Sequence, residues 1–143
     1  FNLFNAVRLS RLLIPEMKKR GGGSILNIAS IAGRESGSAM TYNSSKAAMI
    51  SFSKALAQQV AKDNIRVNSL APGSVLFPGG VWERRIAESP DGLKSWSSSV
   101  MPLGRFGKPE EISAVATFMV SPRASLVHGA CWNVDGCQSR SNI

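Results

Sequence analysis

Short apolar runs alternate along this chain with longer segments of helical periodicity, and this alternation constrains the fold more than any other feature. Three of the runs, residues 24–29, 65–70 and 130–134, have the length and composition of strands. The elements follow the order helix, strand, helix, strand, long excursion, helix, strand. Such an order is typical of buried strands in a parallel sheet covered by helices on both faces. The sequence therefore predicts an α/β fold, and 143 residues are enough for one domain.

The helical segments differ in how clearly their ends are marked. Residues 2–19 carry apolar side chains near helical spacing, but Pro15 lies inside the pattern and should kink the helix or end its regular part. Residues 42–62 form the strongest helix, and Pro109 opens another that runs to Ser121. One face of the strongest helix carries Met49, Phe52, Leu56 and Val60.

Two segments follow strands and lie where a fold of this class binds its ligands. In open parallel sheets, the binding crevice is found beyond the carboxyl ends of the strands. Residues 30–41 are small and polar, which predicts a loop. Residues 74–108 predict an irregular excursion with one or two short helices. We therefore expect the functional site to be built from these two segments.

The net charge of +8 gives little support to a nucleic-acid-binding function. The one tight basic run, residues 18–20, adjoins three glycines, and basic residues in that position favour the end of a helix. No aromatic residue is interleaved with this run, so the sequence does not support stacking on bases. We predict no nucleic-acid partner.

The sequence also lacks the signals of a membrane, metal-binding or exported protein. No apolar run approaches the ~18 residues needed to cross a bilayer, and the opening residues show no signal-peptide pattern. Cys131 and Cys137 have a spacing that fits no common zinc site, and together with His128 they leave a fourth ligand missing. We predict two free, reduced thiols, no metal site and a cytoplasmic location.

Tyr42 and Lys46 are the first candidates for chemistry. They are four residues apart at the start of a helix, so both side chains project from one face. Positive charge from the ammonium and from the helix N-terminus favours the phenolate form, which suits a general acid or base. A surface tyrosine that happens to precede a surface lysine is the other explanation of this pair.

Ser30 and Asn2 are candidates that local sequence alone does not decide. Ser30 follows the strand at residues 24–29, where its hydroxyl could bond to a substrate carbonyl, although an ordinary turn serine fits equally well. Asn2 opens the first helix, where an N-cap asparagine explains it without any chemistry.

Short motifs are spread over almost the whole chain, and they are residues 2–3, 23–30, 42–46, 65–68, 71–73, 102–112 and 133–136. In this order and spacing they resemble the classical short-chain dehydrogenase/reductase family, and most of all its 3-oxoacyl-thioester reductases. The resemblance implies that residues 1–143 are the C-terminal, catalytic half of a doubly wound, Rossmann-like domain. Residues 74–108 would then be its substrate loop.

The resemblance also implies a role for each candidate residue. Tyr42 would be the acid/base that protonates a carbonyl or deprotonates an alcohol, and Lys46 would favour its phenolate and hold the nicotinamide-ribose hydroxyls. Ser30 would polarise the carbonyl, and Asn2 would support a water-mediated proton relay to the lysine. The cofactor would be NAD or NADP, and its further contacts would come from Pro72, Gly73, the backbone of Val75, and Phe77.

The chain departs from the family pattern at Phe77, at Cys137, which ends the family's usual Asp-Gly-Gly, and in its missing first half. Phe77 stands where the family usually has Thr, and with Trp82 it is expected to line an apolar substrate pocket. The family's glycine-rich dinucleotide turn follows a strand and opens a helix, whereas residues 21–23 precede a strand. We therefore expect the N-terminal, dinucleotide-binding half to be absent from this chain.

Two functions remain open on this basis. The first is an oxidoreductase that interconverts a secondary alcohol and a ketone on a small-molecule substrate. The second is a catalytically incomplete fragment or pseudoenzyme that acts only as an association module. The resemblance implies a homo-oligomer, a dimer or tetramer formed through the helix at residues 42–62.

Overall fold

The computed structural model describes residues 2–142 and shows helices packed on a small parallel sheet. The predicted order of elements is confirmed, and residues 74–108 contain two helices. Single 3-10 turns cover Ile31–Gly33, Ala61–Asp63 and Pro122–Ala124. The main elements are α1 (Asn2–Lys19), β1 (Gly23–Ile28), α2 (Met40–Val60), β2 (Ile65–Pro72), α3 (Val81–Glu88), α4 (Pro90–Val100), α5 (Pro109–Val120) and β3 (Cys131–Val134).

The sheet has the strand order β1-β2-β3, and both strand pairs are parallel. Strand β1 pairs with β2 from Gly23 opposite Ile65 to Ile28 opposite Leu70. Strand β2 lies in the middle, and most of its residues are buried. The predicted α/β fold with a parallel sheet is therefore confirmed, and the carboxyl ends of β1 and β2 lie at the same edge.

The core lies between α2 and β2. Helix α2 contributes Leu56, Ala57 and Val60, and these pack against Ile65 and Val67 of β2, which are fully buried. Burial of such side chains stabilises a fold by about 1.5–3 kcal/mol each. Partly buried apolar residues extend the cluster, and they are Ile14, Met17, Ile25 and Phe52.

A buried hydrogen bond joins α2 to β1, and the pattern of apolar residues did not predict it. The Asn27 Nδ2 atom donates to the Ser53 Oγ atom at 2.8 Å, and Ser53 in turn donates to the carbonyl oxygen of Met49 at 2.7 Å. The Asn27 amide and the Ser53 hydroxyl therefore each have a partner, which removes most of the cost of burying them.

The structure differs from the expected bounds of two helices. Helix α1 continues through Pro15, so the proline does not end the helix, and a kink there stays a prediction. Pro15 and Arg11 are both exposed, so water can bond to the carbonyl that loses its helical partner. Helix α2 begins at Met40 rather than at Tyr42, because the Asn43 amide donates to the carbonyl oxygen of Glu35 at 2.7 Å and orders the first turn.

Strand β1 is less buried than its apolar sequence predicts. Of its six residues only Asn27 is buried, and the Ile28 side chain is 46% exposed. The reason is that β1 forms one edge of the sheet that residues 2–142 build. Helix α1 also presents large apolar side chains to solvent, namely Phe4, Leu9, Leu12 and Leu13.

Two polar residues of β2 anchor the segment that follows α5. Arg66 donates from Nη1 to the carbonyl oxygen of Met119 at 2.7 Å and from Nη2 to that of Ser121 at 3.0 Å, which satisfies the end of the helix. Asn68 donates to the carbonyl oxygen of Val127 at 2.8 Å and accepts from the Ala130 backbone at 3.0 Å. These bonds set the path that leads into β3.

Within residues 2–142, no helix has both the length and the apolar character required to span a membrane. Cys131 and Cys137 are both free, as the sequence predicts.

We expect Asn68→Ala to lower the free energy of unfolding by about 1–3 kcal/mol, because the partly buried Ala130 N–H and Val127 carbonyl each lose a partner. Urea unfolding measures the change. Ser98→Ala removes an exposed hydroxyl on α4 and should stay within about 0.5 kcal/mol. Equal losses in the two variants would contradict the anchoring role of Asn68.

Candidate active site

Ser30 lies just beyond the end of β1, where its side chain orders the next turn. Its backbone is extended, with φ −171° and ψ 156°, and its Oγ atom accepts a hydrogen bond from the Ala32 N–H at 3.2 Å. Ser30 is therefore a turn serine, as one explanation of its position held. The hydroxyl hydrogen is not used in this contact, so the group can still donate to another oxygen.

The turn at Ile31–Gly33 packs directly against α2, and Gly33 makes this approach possible. A Cβ atom at Gly33 would lie 2.7 Å from the carbonyl carbon of Lys46 and 2.9 Å from the Ala47 nitrogen. Real side chains do not approach backbone this closely. The bare α-carbon thus brings the loop after Ser30 onto the helix turn that carries Lys46.

Lys46 is a buried ammonium at the junction of α2 and β1. Its side chain is 8% exposed, and its Nζ atom donates to the carbonyl oxygen of Ile28 at 2.8 Å. Burial lowers the pKa of Lys46 below its ordinary value, because the charged form loses hydration. The Nζ atom lies 5.7 Å from the centre of the Tyr42 ring, within the range of a cation–π contact.

Tyr42 and Asn2 line one cavity of about 380 Å³ between the starts of α2 and α1. The Tyr42 side chain is 38% exposed, so its phenol is accessible from this cavity. The structure thus brings together two of the predicted residues that lie 40 positions apart. The cavity is completed by Leu3, Phe4, Thr41 and Ser45, none of which was a candidate site residue.

The segment after β2 runs along the same edge of the sheet. The β1–β2 register, continued by two residues beyond Ile28 and Leu70, leads to Ser30 and Pro72. Parallel strands therefore place the two predicted segments side by side. Gly73 is fixed here because its N–H donates to the carbonyl oxygen of Val134 at 3.1 Å.

The backbone N–H and carbonyl groups of Val75 point away from its bridge partner, Gly107. Val75 forms a parallel bridge with Gly107, in which the Ser74 carbonyl accepts from Gly107 and the Leu76 N–H donates to Gly107, both at 2.9 Å. In this geometry the N–H and carbonyl of Val75 point to the other side. Among residues 2–142 neither group has a partner, so both are available to a ligand.

The two predicted pocket residues, Phe77 and Trp82, lie in different surroundings. Phe77 is 45% exposed and its ring lies over Gly80. Trp82 stacks on Trp96 with ring centres 4.7 Å apart and contacts Phe106 at 5.4 Å. This aromatic cluster holds α3 and α4 together. A pocket shared by Phe77 and Trp82 stays a prediction.

No group of three or more His, Cys, Asp or Glu side chains within residues 2–142 could hold a metal ion.

Residues 1–138 match the profile of a family described as Enoyl-(Acyl carrier protein) reductase. The chain belongs to the short-chain dehydrogenase/reductase family. It is 36% identical over 136 residues to the 3-oxoacyl-(acyl-carrier-protein) reductase of Thermotoga maritima, which covers 94% of this chain and 53% of that protein. It is 38% identical over 144 residues to the 7alpha-hydroxysteroid dehydrogenase of Escherichia coli, which covers 94% of this chain and 51% of that protein.

Solved structures of short-chain dehydrogenases superpose closely on this chain. The L-sorbose reductase of Gluconobacter frateurii, complexed with NADPH and L-sorbose, gives a TM-score of 0.88 at 37% identity, covering 99% of this chain and 56% of that chain. A 7 alpha-hydroxysteroid dehydrogenase complexed with NADH and 7-oxo glycochenodeoxycholic acid gives 0.85 at 35% identity, covering 99% and 55%. The chain spans about half the length of the curated relatives it matches.

We expect Gly33→Ala to lower the free energy of unfolding by about 1–3 kcal/mol, because the new methyl group forces the loop off the α2 backbone. Gly107→Ala is the matched control, since a Cβ atom there would meet its nearest neighbours at 3.6 Å. The control should be neutral or stabilising by up to about 1 kcal/mol. Urea unfolding of both variants decides the comparison, and a neutral Gly33→Ala would contradict the close packing described here.

Lys46→Met should match or exceed the unsubstituted chain in stability at pH 7, because burial disfavours the ammonium that the variant lacks. The unfolded chain keeps its Lys46 proton up to a pKa of 10.5, whereas the folded chain releases it at lower pH. The free energy of unfolding of the unsubstituted chain should therefore rise relative to that of the variant as pH rises toward 10.5. Unfolding at pH 7 and at pH 10 measures this difference. Lys94 is exposed on α4, so Lys94→Met is the control. A larger loss of stability at pH 7 from Lys46→Met than from Lys94→Met would show that the Lys46–Ile28 bond contributes more than burial costs.

Proposed function

We propose that this chain carries the proton-transfer residues of an oxidoreductase that interconverts a secondary alcohol and a ketone with NAD or NADP. The observation that carries the proposal is the convergence of Tyr42, Lys46 and Asn2. A half-exposed phenol and a buried ammonium lie on adjacent turns of α2, and the phenol shares a cavity with Asn2. These groups lie at the sheet edge where parallel α/β folds bind ligands.

In the proposed reaction, Tyr42 donates its phenolic proton to the carbonyl oxygen in reduction and takes it back in oxidation. The Lys46 ammonium lies 5.7 Å from the Tyr42 ring and stabilises the phenolate left after donation. The Ser30 hydroxyl donates a hydrogen bond to the same substrate oxygen and orients it. Asn2 lines the Tyr42 cavity, where it supports the return of a proton through water.

The residues present fit a nicotinamide cofactor. The free N–H and carbonyl of Val75 complement the acceptor and donor of a carboxamide, and the Lys46 ammonium can donate to ribose hydroxyls. Pro72, Gly73 and Phe77 complete the proposed contact segment, in which Phe77 offers a ring but no hydroxyl. The nicotinamide supplies or accepts the hydride when it is bound.

The relatives support the reaction class and leave the choice between NAD and NADP open. The related L-sorbose reductase structure holds NADPH with L-sorbose, and the related 7 alpha-hydroxysteroid dehydrogenase structure holds NADH with a 7-oxo bile acid conjugate. L-sorbose and the 7-oxo bile acid conjugate are both small molecules that carry a carbonyl group. We propose a small-molecule ketone or secondary alcohol as the substrate, with residues 74–108, including Phe77 and Trp82, as the substrate loop.

Helix α2 is the proposed contact between copies of this protein. Its outer face carries exposed small residues one turn apart, Ala47, Ser51 and Ala55, which allow a second helix to approach closely. The apolar side chains that α1 exposes beside it would extend such a contact. We propose a dimer or tetramer formed through this face. A cytoplasmic location is proposed on the basis of the two free thiols.

One observation favours the alternative, in which the chain acts only as an association module. No strand in the sequence is followed by the G-x-G-x-x-G turn that dinucleotide binding in this fold uses. A fluorescence titration of this chain with NADH and NADPH separates the two functions. Binding in the nanomolar-to-micromolar range would exclude the module, and its absence would favour it.

Tyr42→Phe should reduce carbonyl turnover by at least about 100-fold, because the ring remains but the transferable proton is lost. The Kd for the nicotinamide cofactor should stay within about twofold, since the variant keeps the Lys46 and Val75 contacts. Turnover is followed by the absorbance of the reduced nicotinamide, and Kd by its fluorescence. Ser44→Ala removes an exposed hydroxyl from the same helix turn and serves as the control. Turnover by Tyr42→Phe at the rate of Ser44→Ala would contradict the proposed role of the phenol.

A further inference from the structure

The segment that follows β3 lies between the two loops of the site. Residues 135–140 form a tight turn around Asp135, whose carboxylate accepts from the Cys137 N–H at 3.0 Å and from the Ser139 N–H at 2.9 Å. We refer to residues 135–140 as the C-terminal clasp. The hydrogen bonds within the clasp fix the positions from which Gln138, Ser139 and Arg140 reach the two loops.

On one side the clasp holds the segment after β2. The Gln138 side chain makes a paired contact with Ser74, accepting from its N–H at 2.8 Å and donating to its Oγ atom at 3.0 Å. Ser74 is 9% exposed, so this pair is largely shielded from water. The approach requires Gly73, because a Cβ atom there would lie 2.7 Å from both the Asp135 Cβ and the Gln138 Oε1 atoms.

On the other side the clasp holds the loop between Ser30 and Tyr42. The Glu35 Oε2 atom accepts from the Arg140 N–H at 2.8 Å and from the Ser139 hydroxyl at 3.1 Å. The Glu35 carbonyl oxygen accepts from the side chain of Asn43, the residue after Tyr42. Glu35 therefore links the clasp to the first turn of α2.

A neighbouring residue ties the same loop to the sheet. The Arg34 Nη1 atom donates to the carbonyl oxygen of Cys131 at 2.8 Å, at the start of β3. Two consecutive charged residues, Arg34 and Glu35, thus attach the loop to the C-terminal part of the chain. A polar loop of this length would otherwise have few constraints on its position.

We propose that Glu35 and Gln138 are positioning residues, which act through the clasp to fix the spacing between the Ser30–Tyr42 loop and the Pro72–Val75 segment. The inference rests on the proposed function, in which the first loop supplies the proton-transfer groups and the second holds the cofactor. Catalytic groups must be held within about 0.5 Å of a productive geometry, and a misplacement of about 1 Å can cost 100-fold in rate. Neither Glu35 nor Gln138 touches the reacting atoms.

The two residues should have separable effects on the full chain. Glu35→Ala releases the Tyr42 side, so it should lower kcat by about tenfold while the cofactor Kd stays within about twofold. Gln138→Ala releases the Ser74 side, so it should raise the cofactor Kd by about tenfold. Glu35→Gln keeps an oxygen that accepts from Arg140 and Ser139, and should recover most of the lost kcat.

A readout independent of activity tests the coupling itself. Amide hydrogen exchange reports on the Ser74 N–H, which Gln138 holds, and on the Arg140 N–H, which Glu35 holds. Glu35→Ala should speed exchange at Ser74 by about fivefold or more, although Glu35 does not contact Ser74. Asn68→Ala is the control, because it destabilises the fold through the α5–β3 connection and leaves the clasp intact.

The outcomes are distinct. The proposal is overturned if kcat in Glu35→Ala falls no further than in Asn68→Ala, or if exchange at Ser74 is unchanged by Glu35→Ala. Recovery by Glu35→Gln together with faster exchange at Ser74 supports it. Absence of turnover in the unsubstituted chain would contradict the proposed function instead. The exchange measurement would then decide alone whether the clasp couples the two loops.

Discussion

The hydrogen bond from the Lys46 ammonium to the carbonyl oxygen of Ile28 is the contact on which the arrangement of the site depends. It joins α2 to the end of β1, and the apolar core beneath it holds both elements against β2. Burial of the ammonium costs free energy, which the bond partly offsets, and the bond holds the Nζ atom 5.7 Å from the centre of the Tyr42 ring. The stability of the apolar core thus offsets the cost of burying a charged group beside it.

Close backbone packing extends this arrangement from one helix turn to the whole sheet edge. Gly33 lets the loop after Ser30 lie on α2, and Gly73 lets the C-terminal clasp lie on the end of β2. Both glycines act through the absence of a side chain where two backbones meet. The parallel register of β1 and β2 then brings the two loops to the same edge.

Much of the fold could be predicted because it follows from local periodicity. The apolar face of α2 and the short runs of β1 and β2 indicated a parallel α/β sheet, and the spacing of Tyr42 and Lys46 identified one face of a helix. The Asn27–Ser53 bond and the attachment of Glu35 to Arg140 could not be predicted, because polar partners far apart in sequence leave no periodic signal. Exposure of β1 was also missed, since an apolar run does not reveal whether its strand lies at an edge.

The clasp has a consequence for the order in which the chain becomes structured. Glu35 and Arg140 are separated by 105 residues, whereas α2 reaches β2 across one short turn. Closing the longer loop costs more entropy, so it gains from elements that are already in place. We therefore expect the core to form before the clasp, and equal rates of acquiring helix content and of protecting the Arg140 amide would contradict this order. A refolding molecule would then hold α2 and β2 in place before its crevice has its final shape.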